Sequence, residues 1–210
     1  MYETIHSVFS FLLDLVVVPR RTERVVRNLA PNTLRALAAA HNRHNGEYTS
    51  LLPYHEERVT ALVWEVKYYK NRRAVMLAGE LLSETLLAIA SESLGKPLLV
   101  PIPMHPTRRK ERGHNQTEVL CESTFNSTFE YSPNALIRTK NTSPQQGLAK
   151  HSRLGNVKNS MHVAHPELVG GRTCIVVDDV ATTGATFAEA RRALMAAGAQ
   201  SVECVALAGS

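Results

Sequence analysis

Cysteine is scarce in this 210-residue chain: Cys121, Cys174 and Cys204 are the only three, and no two form a C-x-x-C pair. That count excludes a disulfide framework and a cysteine zinc finger, and it fits half-buried thiols in a reducing compartment, so a cytoplasmic address is expected. Upstream, His6, His41, His44 and His55 lack the spacing of zinc ligands. No run approaches the roughly 18 apolar residues of a spanning helix. The nearest, Val8 to Val18, is broken by Ser10 and Asp14 and preceded by Glu3, which reads as an amphipathic helix rather than a signal peptide; no membrane partner is expected. Aromatics make up 6% of the chain, and Trp64, Tyr68 and Tyr69 stand at helix-core spacing, leaving little for stacking on bases. Neither G-x-x-x-x-G-K-[ST] nor a post-strand G-x-G-x-x-G occurs, which removes two common phosphate loops. There is no internal repeat and no low-complexity segment.

A 44% hydrophobic and 20% charged composition is globular, and the length suits one main domain with an appendage. The net charge of +5 is uneven. His105 to Asn115 carries +3, Arg138 to Lys158 carries +5, and the remainder is at −3. Two basic segments suit a polyanion of limited size or a nucleic-acid backbone; two solvated faces are the plainer alternative. Apolar spacing and stop signals predict helices near 4–15, 21–29 and 32–40, and then a polar turn at 41–47 that divides a helical extension, 1–47, from a domain at 48–210. Further on they predict a strand at 48–54, helices at 56–69 and 73–91, and a strand at 98–103 ending at its prolines. A helix at 113–127, a strand at 134–138, a polar loop at 139–147 and a short helix at 151–159 follow. The chain then gives strand 174–177, helix 187–197 and strand 202–207. That last succession is a βαβ unit, so the carboxyl half is read as a parallel α/β sheet.

The informative stretch runs from Cys174 through Asp178, Asp179, Ala181, Thr182, Thr183, Gly184, Ala185 and Thr186. It puts two adjacent acids at the carboxyl end of a buried strand and a small-residue bend at the start of a helix, the edge where open α/β sheets bind ligands. Inward N–H groups and the first helical turn form a cradle for one phosphate, to which the threonine hydroxyls can donate. Adjacent carboxylates need compensation. A vicinal diol with a divalent metal supplies it, and ribose 5-phosphate carries both a diol and a phosphate. An N-capped turn with solvated acids is the plainer alternative.

This stretch resembles the PRPP-binding motif of type I phosphoribosyltransferases. Upstream, Val100-Pro101-Ile102-Pro103 followed by Arg108, Arg112-Gly113-His114-Asn115-Gln116 is similar to the P-x-P…R-G-x-N-Q segment of the ComF family. Arg138, Thr142, Gln145, Leu148, Arg153 and Asn156 are spaced like that family's second signature, and Tyr54 and Lys67-Tyr68 fit its early region. The likeness covers about residues 48 to 210. It implies a type I phosphoribosyltransferase-like parallel sheet flanked by helices, with a hood and a helical amino-terminal appendage. Relatives commonly begin with a four-cysteine zinc module, but here no cysteine precedes Cys121, so no structural zinc is expected.

By that resemblance the chain is a magnesium-dependent transferase of the 5-phosphoribosyl group that releases pyrophosphate. Asp178 and Asp179 would hold the sugar and Mg2+, directly or through water, and residues 181–186 the phosphate. Met104, His105, Arg108, Lys110 and Arg112 would face the pyrophosphate, Arg112 with a catalytic part and Lys67 approaching from the hood. Arg138, Gln145 and Arg153 would belong to a mobile flap. Displacing pyrophosphate builds negative charge on the leaving group, which calls for cations and a closed, dry site. Gln116, Gln145 and Asn156 orient loops, since amides do not titrate. No base is identifiable; His105 and His114 are the nearest titratable groups and read first as structural. The expected partners are PRPP, an unidentified small-molecule acceptor and a second copy of the chain. Two alternatives stay open: a non-catalytic PRPP- or nucleotide-binding regulator, and an accessory protein of DNA uptake that binds single strands.

Overall fold

The computed structural model describes residues 19–41, 43–44, 46–124, 126–140 and 158–210. The helix expected at 4–15, nearly all of the short helix expected at 151–159, and Thr142, Gln145, Leu148, Lys150, Arg153 and Asn156 lie outside the described residues.

Unbroken apolar runs build the centre of the sheet, as burial on both faces requires. β7 (Thr173–Ala181) pairs in parallel with β8 (Ser201–Gly209) on one side and β3 (Leu98–Pro101) on the other. β2 (Thr49–Pro53) extends the sheet beyond β8, β4 (Glu130–Tyr131) extends it beyond β3, and β1 (Arg43–His44) caps the β2 edge antiparallel. The order is β1-β2-β8-β7-β3-β4, with five parallel strands.

Strand alternation sorts the core into two layers. Leu99, Ile175, Val177, Val205 and Leu207 face one side with α1 (Arg21–Arg27), α2 (Pro31–His41), α3 (Glu57–Tyr69), α4 (Arg72–Glu92) and α6 (Gln116–Thr124). Leu98, Val100, Cys174, Val176, Cys204 and Ala206 face the other, under α8 (Ala185–Ala196), the short α7 (Pro166–Val169) and an antiparallel pair, β5 (Leu136–Arg138) with β6 (Met161–Val163). By length and composition alone α4 could cross a membrane. In this fold it is a core helix, burying Ala74, Leu77, Ala78, Leu81, Leu82, Leu86 and Ala90.

The structure corrects the expected elements at several points. The helix expected at 113–127 covers only Gln116–Thr124, and the basic loop before it is itself a helix, α5 (Pro106–Arg112). His105 caps α5, accepting from the Thr107 N–H, Pro106 stands at its first turn, and Gly113 ends it at φ +82°. Short elements with no period to read, β1, β4, β6 and α7, were absent from the sequence reading. β7 continues beyond Val177 to Ala181, so both acids are strand residues.

The helices before residue 47 share the first layer: Val26, Leu29 and Leu34 are buried with Leu62, Leu77 and Leu81. A polar tie fixes them. Glu65 of α3 is fully buried and accepts from Arg20 (3.1 and 3.4 Å), the Thr22 hydroxyl (2.6 Å) and the Asn71 amide (3.0 Å). Arg20 also lies 3.6 Å over the Tyr69 ring, and Arg73 donates to the carbonyls of Val26 and Leu29. Because the Arg20 side chain is 43% exposed, solvent weakens the pair, and Arg20→Met is expected to cost about 1–3 kcal/mol. Adding Glu65→Met should recover part of that loss, since the uncompensated buried charge is what destabilises. Chemical denaturation of both variants measures it.

Candidate functional site

Alternation along β7 turns the neighbouring acids to different layers. Asp179 follows Val177 toward α3 and α6, and Asp178 follows Val176 toward α8 and β5. Both are buried, at 5% and 8% exposure. Asp179 Oδ1 accepts from Gln116 Nε2 at 3.3 Å, and its Oδ2 lies 3.4 Å from Lys67 Nζ without hydrogen-bonding geometry. Asp178 Oδ1 accepts the Asp179 backbone N–H at 2.8 Å. Burial first, and the neighbouring Asp179 carboxylate second, push Asp178 well above the ordinary carboxylate range.

Beyond the acids, Ala181 is buried, Thr182 exposed and Thr183 half-buried; Gly184 then precedes α8 at φ +73°. A side chain at Gly184 would be strained by that φ, and its Cβ would come within 3.0 Å of the Tyr48 ring and 3.3 Å of Glu47 Oε2. Thr183 Oγ1 accepts from the Ala185 N–H at 3.4 Å, and Ala185 and Thr186, both half-buried, open the helix. Acids, bend and helix start thus lie at one sheet edge.

The basic segment reaches this edge through α5. Arg112 donates to Gln116 Oε1 at 2.8 Å and lies 5.1 Å from the Tyr68 ring centroid. Its link to Asp179 therefore runs through an amide. Arg109 is paired with Glu118, and Lys110 is exposed. Met104 and Arg108 are half-buried, as is His105, the α5 cap. Asn115 is structural: its amide donates to the Ile102 carbonyl at 3.0 Å and its Oδ1 accepts from the Thr117 N–H. His114 Nε2 lies 3.3 Å from the Val66 carbonyl.

Arg138, expected on a flap, ends β5, and its guanidinium is within electrostatic reach of Asp178 and Arg108. Burial lowers its pKa against the opposing pull of Asp178. The β5–β6 pair is fastened to α8 by Glu189, which accepts the Met161 N–H at 3.1 Å and pairs with Arg192. Burial alone would raise Glu189, but hydrogen bonds from Arg192 and from the backbone of Met161 and Asn159 outweigh it and bring the carboxyl to about 2. Sequence reasoning did not find this clasp, whose i, i+3 Glu189–Arg192 pair was the available signal. It also placed the α3 aromatics in the core. Trp64, Tyr68 and Tyr69 are instead 43–46% exposed, with the Trp64 and Tyr68 rings 4.7 Å apart.

Comparison with known proteins gives the family of the chain. The model of the phosphoribosyl transferase domain family matches residues 71–210, and the chain belongs to that family. Within it the chain is of the ComF type. It is 32% identical over 148 residues to the DNA utilization protein YhgH of Escherichia coli K12, covering 69% of this chain and 64% of that protein. It is also 32% identical over 113 residues to Competence protein F of Haemophilus influenzae, covering 52% and 49%. The chain thus spans slightly under two thirds of the first of these relatives. Among solved structures it is similar to a hypoxanthine phosphoribosyltransferase from Staphylococcus aureus (TM-score 0.40, 12% identity, 63% of this chain and 61% of that one). It is likewise similar to a phosphoribosyltransferase from Corynebacterium diphtheriae (TM-score 0.38, 16% identity, 86% and 92%). The expected fold class stands: a type I phosphoribosyltransferase-like parallel sheet flanked by helices, with a helical amino-terminal segment.

The buried acid pair has a stability signature. A carboxyl whose folded pKa is raised contributes fully below its unfolded pKa and loses that contribution as pH climbs toward the folded value. Without ligand, Asp178→Asn should therefore melt higher than the parent at neutral pH, the gap opening as pH rises above about 4. Thermal unfolding of both proteins between about pH 3 and about pH 8 checks the sign.

Proposed function

We propose that this chain is a magnesium-dependent phosphoribosyltransferase that binds PRPP, transfers its 5-phosphoribosyl group to a small-molecule acceptor and releases pyrophosphate. One observation carries the reading: the buried Asp178–Asp179 pair and the Gly184 bend stand at the same sheet edge, a bend suited to an anion beside two acceptors suited to a diol. The sugar hydroxyls donate to the carboxylates, and the 5-phosphate takes the amides of the 182–186 bend. As the C1–oxygen bond to pyrophosphate breaks, negative charge moves to the leaving group, where Arg112, Arg108 and Lys110 stabilise it. Arg138 offsets the charge of Asp178 from the β5 side, the layer that Asp178 faces. The acceptor forms the new bond to C1 and loses its proton to solvent or to the departing pyrophosphate.

Magnesium fits the donor set. The two acids offer hard oxygens, and Asp179 Oδ2 is buried without a hydrogen-bond partner. Among the described residues no cluster of three His, Cys, Asp or Glu forms a cage, which suits an ion that keeps waters and substrate oxygens. Held by Asp178 and Asp179, it would supply charge neutralisation for the pyrophosphate. The compartment proposed for this chemistry is the cytoplasm.

A second reading, a nucleotide-binding or DNA-uptake accessory protein without turnover, draws on the exposed Trp64, Tyr68 and Tyr69 and on the names of the relatives. It calls for salt-sensitive binding of a single-stranded oligonucleotide that survives loss of both acids and fails in Trp64→Ala with Tyr68→Ala.

Calorimetry decides the first reading. PRPP with magnesium should bind the parent, and Asp178→Asn with Asp179→Asn should lose that binding while keeping its circular dichroism; unchanged binding removes the site. Arg112→Met should slow pyrophosphate release, measured with a panel of bases and amines, more than it weakens PRPP affinity.

A further inference from the structure

Gln116 stands between opposite charges that do not touch. Its Nε2 donates to Asp179 Oδ1 at 3.3 Å, and its Oε1 accepts from Arg112 at 2.8 Å. Each charge meets the complementary end of one amide dipole. The amide is nearly buried, at 8% exposure, where attraction between a carboxylate and a guanidinium is strong. Without the spacer the pair would close into a direct, bidentate-capable salt bridge, and both groups would be lost to a ligand.

The placement of the spacer is fixed on every side. Gln116 is the first residue of α6, directly after Asn115, whose amide is tied to the Ile102 carbonyl. The Thr117 hydroxyl donates to that same carbonyl at 2.6 Å, and the Ile102 N–H donates to the Val177 carbonyl at 2.9 Å, one residue before the acids. From the other end, Arg112 sits four residues earlier, against the Tyr68 ring. A glutamine that only filled space would need neither charged partner. Lys67 pairs with the other oxygen of Asp179, Oδ2, at 3.4 Å, so Oδ1 is the oxygen at which the spacer acts.

We propose that Gln116 is a positioning residue that keeps Arg112 from collapsing onto Asp179, so that acid and cation stay separately available to different ends of one sugar phosphate. This rests on the phosphoribosyl reading above and assigns a device within the same site.

The test is PRPP titration with magnesium on the full chain and on Gln116→Met, Arg112→Met, the double variant and Gln116→Glu. Gln116→Met, close in size and without polar ends, should weaken PRPP binding by roughly tenfold or more. Adding Arg112→Met should restore most of that affinity, because the cation that captures Asp179 is gone; a merely structural glutamine gives no such rescue. Gln116→Glu keeps an acceptor for Arg112 but sets a like charge against Asp179, so it should bind more weakly and need more magnesium. Unchanged affinity in Gln116→Met, or a double variant whose losses add, overturns the proposal. Should Gln116→Met fail to fold by circular dichroism, Gln116→Glu carries the test, and parental affinity there overturns it. A parent that does not bind PRPP overturns the phosphoribosyl reading itself, a different result from a parent that binds equally well with and without the amide.

Discussion

Two carboxylates at the end of a strand buried on both faces repel one another, and the surroundings of this site are arranged around that repulsion. The strand cannot move them apart, because Asp178 on one side and Val180 on the other hold the segment in register with β8. What it can do is turn them toward different layers. Asp179 then meets the ammonium of Lys67 and the amide of Gln116, while Asp178 lies in the field of Arg138. None of these neighbours fully satisfies its acid. A fold selected for stability alone would place apolar residues here, as it does at Val176 and Val177; the proposed receipt of hydroxyls and a cation accounts for acids left underpaired.

Much of this was legible in the sequence, for stateable reasons. Strands buried on both faces read as unbroken apolar runs, so β3, β7 and β8 stood out, and α8 announced itself by its spacing and the glycine after it. The acid pair and the bend were found because adjacency in sequence is adjacency in space at a strand end. The hidden parts have other causes. A helix with no apolar face looks like a charged loop, and α5 buries none of its residues. Strands of two or three residues have no period. In α3 the stripe of Val59, Leu62, Val63 and Val66 takes the buried face, which turns Trp64 and Tyr68 outward; counting aromatics at helical spacing did not say which face was theirs. Contacts such as Lys67 with Asp179 join residues more than a hundred positions apart, and no local pattern encodes them.

The charge distribution also gains a structural sense. A net charge of +5 says little of itself, but three of the four basic residues of α5, Arg109, Lys110 and Arg112, fall in its last turn, where the negative end of the helix dipole favours them. The dipole thus favours this short segment as a helix while its cations carry charge. Arg109 is spoken for by Glu118 and Arg112 by Gln116, so the cluster is graded, with some cations anchored and others open to an anion. Among the described residues the tie between the first helices and the sheet layer is made by side-chain packing and one buried carboxylate.

That carboxylate has a wider consequence, because helix α3 serves two masters. Glu65 faces the amino-terminal helices, and two positions on, Lys67 faces the acid of β7, with less than one helical turn between them. The helix cannot rotate or slip to improve one contact without spoiling the other. Exchange of the first forty residues for those of a relative would therefore be felt at Lys67, on the other face of the same rigid rod, and such a graft would have to bring its own counterpart for Glu65 to leave the acids of β7 undisturbed.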